Sequence, residues 1–504
     1  MFRLSVTSFT ILALSSGAAP AEITADEVWQ SWQARLSNLG YDVTGSPDRE
    51  GDRLVIRDLG LTQALPDEGG RAELRIGRIA FEGRDDGTVA VIYPETMPMA
   101  VAVMPEEGET MTATLTLSHD ALSVVASGTP DRIGYAYDAG SLRLALGDVT
   151  VDGAPMDGLT GRMSLSDVSG TSESTLEANM RQSAQTLVSG AMSYALAAAP
   201  PDADSRVRLE GSAESLELET RMTAPLDTGL ADMAAALEAG FSVEGRLAFG
   251  AGKSLSVVTD AGETTRATSR SARSELGMAL ADDGLVAELE SVGAAGEMDG
   301  GDLPFPVAYE AEEAAARLAL PVARDDAAQP FELSVDLSQV SVSEDIWAMI
   351  DPEATLPRDP ANLALALTGS GQLRVDLFDE AAMDALETGD ATGFVPERLV
   401  LERLLVDLAG ATLTGAGAVD IAPEESDAMG LPAAEGAIDL RLEGGNGLLD
   451  RLVAIGLLSQ DEAATARMMA AMFAQPTEGE ADTLTSRIEI EQDGSVTVNG
   501  QRMR

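Results

Sequence analysis

The chain has 504 residues, a hydrophobic content of 45% and a formal net charge of -51. Its length and hydrophobicity allow a folded protein with a sizeable core. The balance of 84 acidic against 33 basic residues excludes nucleic acid as a partner and opposes binding to anionic surfaces. Aromatic residues are only 4%, so the core must consist mainly of Ala, Leu, Val and Met.

The first residues are typical of a secretory signal. Arg3 precedes a short apolar run, and small residues follow at Ala19 and Ala21. This pattern predicts a signal peptide over residues 1–21 that is removed by cleavage after Ala21. An uncleaved N-terminal anchor is the alternative, but the run is short for a bilayer span, and no later segment is apolar enough to make one.

The chain contains no cysteine. Disulfides, thiolate metal sites and the lipidated cysteine of a bacterial lipoprotein are therefore all excluded. Together with the signal peptide, this absence predicts the bacterial periplasm as the location, in preference to the extracellular medium.

An amphipathic helix is predicted directly after the signal. Thr24 and Glu27 have capping-box spacing, and the apolar stripe that follows includes Trp29, Trp32 and Leu36. We expect this stripe to pack on the protein's own sheet, although the two Trp side chains also suit a lipid interface.

From residue 41 onward the dominant period is two, which is typical of strands with one polar face. It is clearest in "MTATLTLS" from Met111 and in "FELSVDL" from Phe331. In "ELRIGRIAFEG" the apolar phase shifts across Gly77, and a bulge there is expected to keep Ile76 and Ile79 on the same face.

Turn signals separate many of these runs and favour antiparallel pairing. We interpret "NLALALTGSGQLRVDL" as a hairpin that turns at Gly369-Ser370-Gly371. Other turns are predicted at Asp85-Asp86-Gly87, Asp282-Asp283-Gly284, Asp493-Gly494 and Asn499-Gly500. The predicted fold is mainly β (β-rich α+β), a long, curved or folded-over antiparallel sheet with a few short capping helices.

Short helices are predicted at 232–237 and 344–350, and a helical hairpin at 448–474 precedes a final β-hairpin. Gly300-Gly301 marks a seam between a β-rich part over 22–300, which begins with the amphipathic helix, and a second over 301–504. The helical hairpin offers a candidate apolar contact or plug formed by Leu452, Met468, Met469, Met472 and Phe473. We favour the plug, and therefore expect Phe473→Asp to unfold or aggregate the protein.

Motifs that carry chemistry are scarce. His119 is the only histidine and is interpreted as a turn or strand-end residue. No Walker loop, HExxH motif or GxSxG elbow occurs, and hairpin turns explain the acidic Asp-Gly sites without calcium. The sequence thus predicts no catalytic, cofactor-binding or metal-binding residues, no cofactor and no enzymatic activity.

Three segments carry a resemblance to a known family. They are "ADEVWQSWQARLSNLGYDVTGSPDREGDRLVIRDLGL", "MIDPEATLPRDPANLALALTGSG", and "LAGATLTGAGAVDI" with the following "GGNGLLDRLVAIGLL" and "MMAAMFAQP". They resemble the bacterial family called domain of unknown function 2125, over nearly the whole mature chain. The strand-rich second half is also similar in style to AsmA-like envelope proteins, and that likeness implies long curved sheets and, for some members, lipid traffic.

The leading hypothesis is a non-enzymatic periplasmic protein that holds a lipid or another apolar ligand on the inner face of a curved sheet. The alternative is a structural or interaction protein with an envelope protein as its partner, and a carboxylate-based hydrolase is third. For any one apolar stripe, a filled core is expected before an open groove.

Overall fold

The computed structural model describes residues 22–65, 69–199, 204–228, 232–388, 393–426 and 432–503. The predicted signal peptide, with Ala19 and Ala21, lies outside these residues. The helices are α1 (Ala25–Asn38), α2 (Met233–Glu238), α3 (Glu344–Ile350), α4 (Glu380–Glu387), α5 (Gly445–Ala454) and α6 (Gln460–Phe473).

The strands fall into three successive groups. The first is β1 (Asp42–Glu50), β2 (Arg53–Ala64), β3 (Gly70–Gly83), β4 (Val89–Ile92), β5 (Thr96–Pro105), β6 (Met111–Asp120), β7 (Ser123–Thr129), β8 (Arg132–Val151), β9 (Ala154–Pro155) and β10 (Leu159–Glu177). The second is β11 (Met180–Ser189), β12 (Met192–Ala198), β13 (Arg206–Ala213), β14 (Leu216–Pro225), β15 (Ser242–Phe249), β16 (Gly252–Asp260), β17 (Glu263–Ser271), β18 (Arg273–Ala281), β19 (Gly284–Gly300) and β20 (Val307–Leu320). The third is β21 (Gln329–Val342), β22 (Ala361–Leu373), β23 (Phe394–Leu408), β24 (Ala411–Ser426), β25 (Pro432–Glu443), β26 (Gln475–Pro476), β27 (Thr483–Ile490), β28 (Val496–Val498) and β29 (Gln501–Arg502).

All these strands belong to one sheet, and every recorded pairing is antiparallel. Strands contain 63% of the residues and helices contain 12%, which confirms the predicted fold class. The seam expected at Gly300-Gly301 is a loop between two paired strands, because β19 and β20 form a ladder from Leu285↔Leu320 to Met298↔Val307. The sheet is therefore continuous across this position.

The middle of the sheet divides into two lanes that run side by side. Lane A consists of β11, β14, β15 and β18, and lane B of β12, β13, β16 and β17. The long strand β10 pairs with both lanes on one side, and β19 pairs with both on the other. Asp167 in β10 (φ 49°) and Gly293 in β19 (φ 62°) lie where the long strands pass from one lane to the other. The apolar phase shifts at both residues, as expected when a left-handed residue interrupts the alternation of a strand.

The same kind of irregularity occurs at Gly77. The register runs unshifted from Arg57↔Arg78 to Leu59↔Ile76, so Gly77 lies opposite Asp58, whose φ is 50°. The register shift itself lies between β1 and β2. The bulge expected at Gly77 is therefore absent from the β2–β3 ladder. Ile76 nevertheless packs against the cluster that contains Ile79, so the expected placement of both on one face is confirmed.

Helix α1 closes the first end of the sheet. Its capping box is confirmed, since the Thr24 hydroxyl accepts from the Glu27 amide and the Thr24 amide donates to the Glu27 carboxylate. Trp29 and Trp32 lie over Phe81, with ring centroids 6.1 Å and 5.2 Å away. Phe81 is fully buried, which contributes about 1.5–3 kcal/mol to stability. The stripe therefore packs on the protein's own sheet, as expected, with Leu36 half-buried at its end.

Helix α2 closes the far end of lane A. Ala236 and Leu237 are buried against Phe241 and Val322. The Asp232 side chain accepts from the Ala235 amide and starts the helix. The predicted helices at 232–237, 344–350 and 448–474 are confirmed, while α4 was not predicted.

The hairpin predicted at Gly369-Ser370-Gly371 is wrong, because β22 continues through all three residues and pairs with β21 and β23. The two glycines make room for aromatic rings instead of a turn. A Cβ on Gly369 would lie 2.4 Å from the Phe331 ring, and one on Gly371 would lie 2.6 Å from the Phe394 ring.

The predicted turns are present where strands do end. Gly87 and Gly494 both have φ of 79°, and Asn499-Gly500 has positive φ at both residues, as a tight hairpin turn requires.

Candidate ligand-binding face of the sheet

A single row of directly paired residues crosses fifteen strands of the sheet. We call the face that carries it the inner face. The inner row is Val124, Tyr137, Gly170, Leu187, Leu218, Leu247, Leu276, Leu289, Ala316, Val335, Leu365, Leu404, Gly415, Leu440 and Ser486. With about 4.8 Å between strands, the row is roughly 65 Å long. Apart from the Tyr137 phenol, the only polar side chain in the row is that of its last member, Ser486.

The inner row is open to solvent at its middle. Leu276 is 49% exposed and Leu289 54%, while Met278, on the same face of β18, is 55% exposed. These residues lie in the interior of the sheet, where strands flank them on both sides, so only their inner surface is free. Among the described residues, no helix or loop buries this part of the row. The expectation of a filled core is therefore wrong for the middle of the sheet, because the covering helices pack at its margins.

The opposite face of the same strands is polar and carries ion pairs from strand to strand. Arg317 pairs with Glu332 at 3.1 Å, and Arg403 pairs with Asp336 at 3.3 Å. Arg246 bonds to Glu275, and this contact lowers the pKa of that carboxyl. The sheet thus has a charged outer face that water solvates well and an inner face whose central row is uncharged and apolar.

Lane B contributes a second, more polar row to the site. It runs Tyr194, Gly211, Ser254, Ser269, Gly296 and Tyr309, each paired with the next. Each tyrosine ring covers the neighbouring glycine, where a Cβ would come within 2.4 Å or 2.5 Å of the ring. Both rings therefore point toward the central serines, whose hydroxyls are 2.7 Å apart.

The two lanes face a common concavity. A pocket of about 380 Å³ is lined by Phe249, Ser274 and Ser291 at the end of lane A. The same pocket is lined by Tyr194, Ser269 and Tyr309 from the lane B row, and by Lys253 and Arg270, which are next to the two central serines of that row in sequence. The apolar sides of the two lanes therefore meet where β10 and β19 pass from one lane to the other, at Asp167 and Gly293. The result is a trough with an aliphatic part and a hydroxyl-lined part.

Tyr137 marks one end of the open stretch. Its ring covers Gly170, and its hydroxyl donates to the Thr186 carbonyl. Burial raises the pKa of Tyr137, and a hydrogen bond from Gln185 opposes the shift. The phenol therefore stays neutral at physiological pH and adds no charge to the inner face.

The residues predicted as a plug do not form one. On α6, Met468 is 68% exposed, Met469 55%, Met472 51% and Phe473 42%, while Leu452 on α5 is half-buried. The helices are held by polar contacts: Arg467 bonds to Asp450 at 2.5 Å, and Ser486 donates to the Phe473 carbonyl at 2.6 Å. The plug interpretation is wrong for these four residues, because the apolar face of α6 points away from the sheet. Their role as an apolar contact stays a prediction.

The remaining polar candidates do not assemble into a reaction centre. His119 lies at the end of β6, as predicted, and its Nδ1 accepts from the Leu122 amide at 3.4 Å. Asp86 serves its own turn, since its carboxylate accepts from the Thr88 hydroxyl at 2.6 Å, which lowers its pKa. Within the described ranges, no group of three His, Asp or Glu side chains has the geometry of a metal site.

The fold and the site together define a two-faced antiparallel β protein with an open apolar trough. No family model matches the chain, and no curated protein matches it. In the part of the chain that the structure describes, no helix is sufficiently long and apolar to span a bilayer.

Proposed function

We propose that this chain is a non-enzymatic periplasmic protein that binds the apolar part of an amphiphile, such as a lipid, on the inner face of its sheet. The observation that carries the proposal is the half-exposure of Leu276, Met278 and Leu289 in the middle of a long sheet. Covering a large aliphatic side chain contributes about 1.5–3 kcal/mol, so a ligand that covers several of them gains substantial affinity.

We further propose that the chain belongs to the family called domain of unknown function 2125, in the style of AsmA-like proteins. Export rests on the N-terminal signal pattern and on the absence of cysteine. The continuous antiparallel sheet is compatible with this assignment. Non-enzymatic binding is favoured because, among the described residues, the inner face carries methyl groups and hydroxyls without an activated nucleophile beside them.

The proposal is tested by extracting lipid from the purified mature chain and by titrating it with a fluorescent fatty acid. Leu289→Gln should weaken binding several-fold while leaving stability nearly unchanged, because the residue is already 54% exposed. Val188→Gln is the matched control, since Val188 is 46% exposed but lies on the opposite face, between Ser169 and Glu217. Absence of both co-purified lipid and fatty-acid binding would refute the proposal.

A second candidate function is an interaction protein of the cell envelope. The exposed Met468, Met469, Met472 and Phe473 favour it, because they form one apolar face of α6. Binding of an envelope protein that is lost in Met468→Gln but kept in Leu289→Gln would support this candidate over the first.

A further inference from the structure

One position on the inner face breaks its uncharged character. Arg181 in β11 lies on the same side as Ser183 and Leu187, since residues two apart in a strand share a face. Arg181 pairs with Leu176 on one side and with Ala224 on the other. Its guanidinium is therefore placed in the trough, next to aliphatic neighbours.

Within the described ranges, carboxylates leave this guanidinium without an ion pair. Although the chain has 84 acidic residues, none of those that the structure describes lies within ion-pairing distance of Arg181. The Arg35 guanidinium of α1 acts on it through its like charge. Burial lowers the pKa of Arg181, and the like charge of Arg35 lowers it further. Two cations thus share one partly buried region, an arrangement that an anion would relieve.

The hydrogen-bonding groups around Arg181 are incompletely used. Its Nη1 donates to the Ser174 hydroxyl at 3.4 Å, while its Nε is buried and has no partner among the described residues. The buried Ser183 hydroxyl, directly opposite Ser174 in the ladder, also lacks a partner there. Buried donors without acceptors are rare and costly in folded proteins. Both unused donors lie on the same face of β11, two residues apart.

We propose that Arg181 binds an anionic oxygen group, a carboxylate or a phosphate, with the Ser183 hydroxyl as an additional donor and the positive charge of Arg35 adding to the attraction. This inference rests on the proposed function, because it assigns the anionic group to the head of the amphiphile whose apolar part lies in the trough. A guanidinium suits this task because it presents fixed donors to two oxygens at once.

The position of the subsite fits such a molecule. The clusters under α1 and α2 flank it, since Tyr135 packs against the first and Met222 against the second. Met278, in the open stretch, lies three strands beyond Gln185 of β11 along the ladder through Thr220 and Gly245. Three strand spacings, about 14 Å, and the four residues from Gln185 to Arg181, about 13 Å, separate Met278 from Arg181 by roughly 20 Å across the sheet. A head group at Arg181 therefore leaves the chain of the ligand free to extend over the exposed aliphatic residues.

The test compares hexadecanoate with hexadecanol, which share a chain and differ in head-group charge, as competitors of an uncharged fluorescent probe bound to the mature protein. We expect the wild type to prefer the acid by about tenfold or more, and Arg181→Gln to lose this preference while still binding the alcohol. Arg35→Gln should reduce it as well. Arg221→Gln is the matched control, because Arg221 lies in the neighbouring strand on the outer face and pairs there with Glu244.

The outcomes separate this inference from the proposed function. Equal affinity of the wild type for the acid and the alcohol, or an unchanged preference in Arg181→Gln, would overturn the anionic subsite alone. If neither competitor binds, the proposed function fails instead. An Arg181-dependent rise in melting temperature with inorganic phosphate, without any preference for the acid, would assign the site to a free anion and overturn the lipid head group.

Discussion

The indole Nε1 of Trp32 donates a hydrogen bond to the Tyr135 hydroxyl at 2.9 Å. This contact links α1 to β8 across 103 residues of sequence. It lies at the border between the cluster under α1 and the proposed anionic subsite. The bond therefore fixes the helix that carries Arg35 relative to the strands of the trough.

We expect Trp32→Phe to lower the free energy of unfolding by about 1 kcal/mol, because a half-buried hydrogen bond is lost while most ring contacts remain. Tyr135→Phe should have a similar effect, and the double variant should cost clearly less than the sum of the two. Urea denaturation of the wild type, the two single variants and the double variant measures these free energies of unfolding. Strict additivity would show that the two side chains do not interact.

The buried tyrosines predict a loss of stability at alkaline pH. Burial raises the pKa of Tyr93, and Tyr135 raises it further; burial also raises the pKa of Tyr135. Both phenols are neutral in the folded protein at a pH where the unfolded chain begins to ionise. Their stabilisation is thus fully present below about pH 10, the unfolded-state value, and is lost as the pH rises through the raised pKa.

For Tyr93 we expect the free energy of unfolding to fall above pH 10 by up to about 1.4 kcal/mol per pH unit. Tyr93→Phe removes the titrating group, so its stability should decline less steeply over the same range. Denaturation between pH 8 and 11, values set about the reference pKa of tyrosine, provides the comparison. If the free energy of unfolding fell equally with pH in the wild type and in Tyr93→Phe, a raised pKa of Tyr93 would be contradicted.

The exposed face of α6 reverses the expectation for Phe473→Asp. Because Phe473 is 42% exposed, the carboxylate reaches water, and we expect a loss of less than about 1 kcal/mol even with its unfavourable position at a helix C-terminus. Phe81→Ala, in the cluster under α1, should cost about 3–5 kcal/mol. Aggregation or unfolding of Phe473→Asp at neutral pH would restore the plug interpretation.

The glycines of β22 are expected to be sensitive for steric reasons. A Cβ on Gly369 would lie 2.4 Å from both the Arg398 carbonyl oxygen and the Phe331 ring. Gly369→Ala should therefore destabilise the protein by about 1–3 kcal/mol. At Gly77 a Cβ meets nothing within 4 Å, so Gly77→Ala is the control. Equal melting temperatures of the two variants would argue against close packing at Gly369.

The sequence predicted the strands and helices better than it predicted which of their apolar faces are covered by other parts of the chain. Alternation in "FELSVDL" correctly places Leu333 and Val335 on one face, and the Thr24 and Glu27 pair correctly starts α1. These signals are local, because a strand's period and a helix cap depend on neighbouring residues. The amphipathic pattern of α6 shows which side is apolar but not whether another element covers it.

The candidate site depends on pairings that no local signal specifies. The lanes join strands such as β11 and β14, or β13 and β16, that are separated by other elements. Only this register aligns Leu187 with Leu276 and places Arg181 beside Ala224. The Gly-Ser-Gly segment failed as a turn for the same reason, because its glycines receive rings from other strands. For the lane B row, the only signal in the sequence was that its tyrosines and glycines alternate with other residues in strand-like segments.

The absence of cysteine makes ligand binding on the inner face directly measurable. A single cysteine placed at Leu276, on the inner face, or at Val188, on the outer face, carries an environment-sensitive fluorophore in an otherwise thiol-free chain. A fatty acid brominated along its chain is then titrated as a quencher. If the ligand lies on the inner face, quenching should be saturable at position 276 and small at position 188. Equal quenching at both positions, or none at 276 while the ligand is bound, would contradict binding on the inner face.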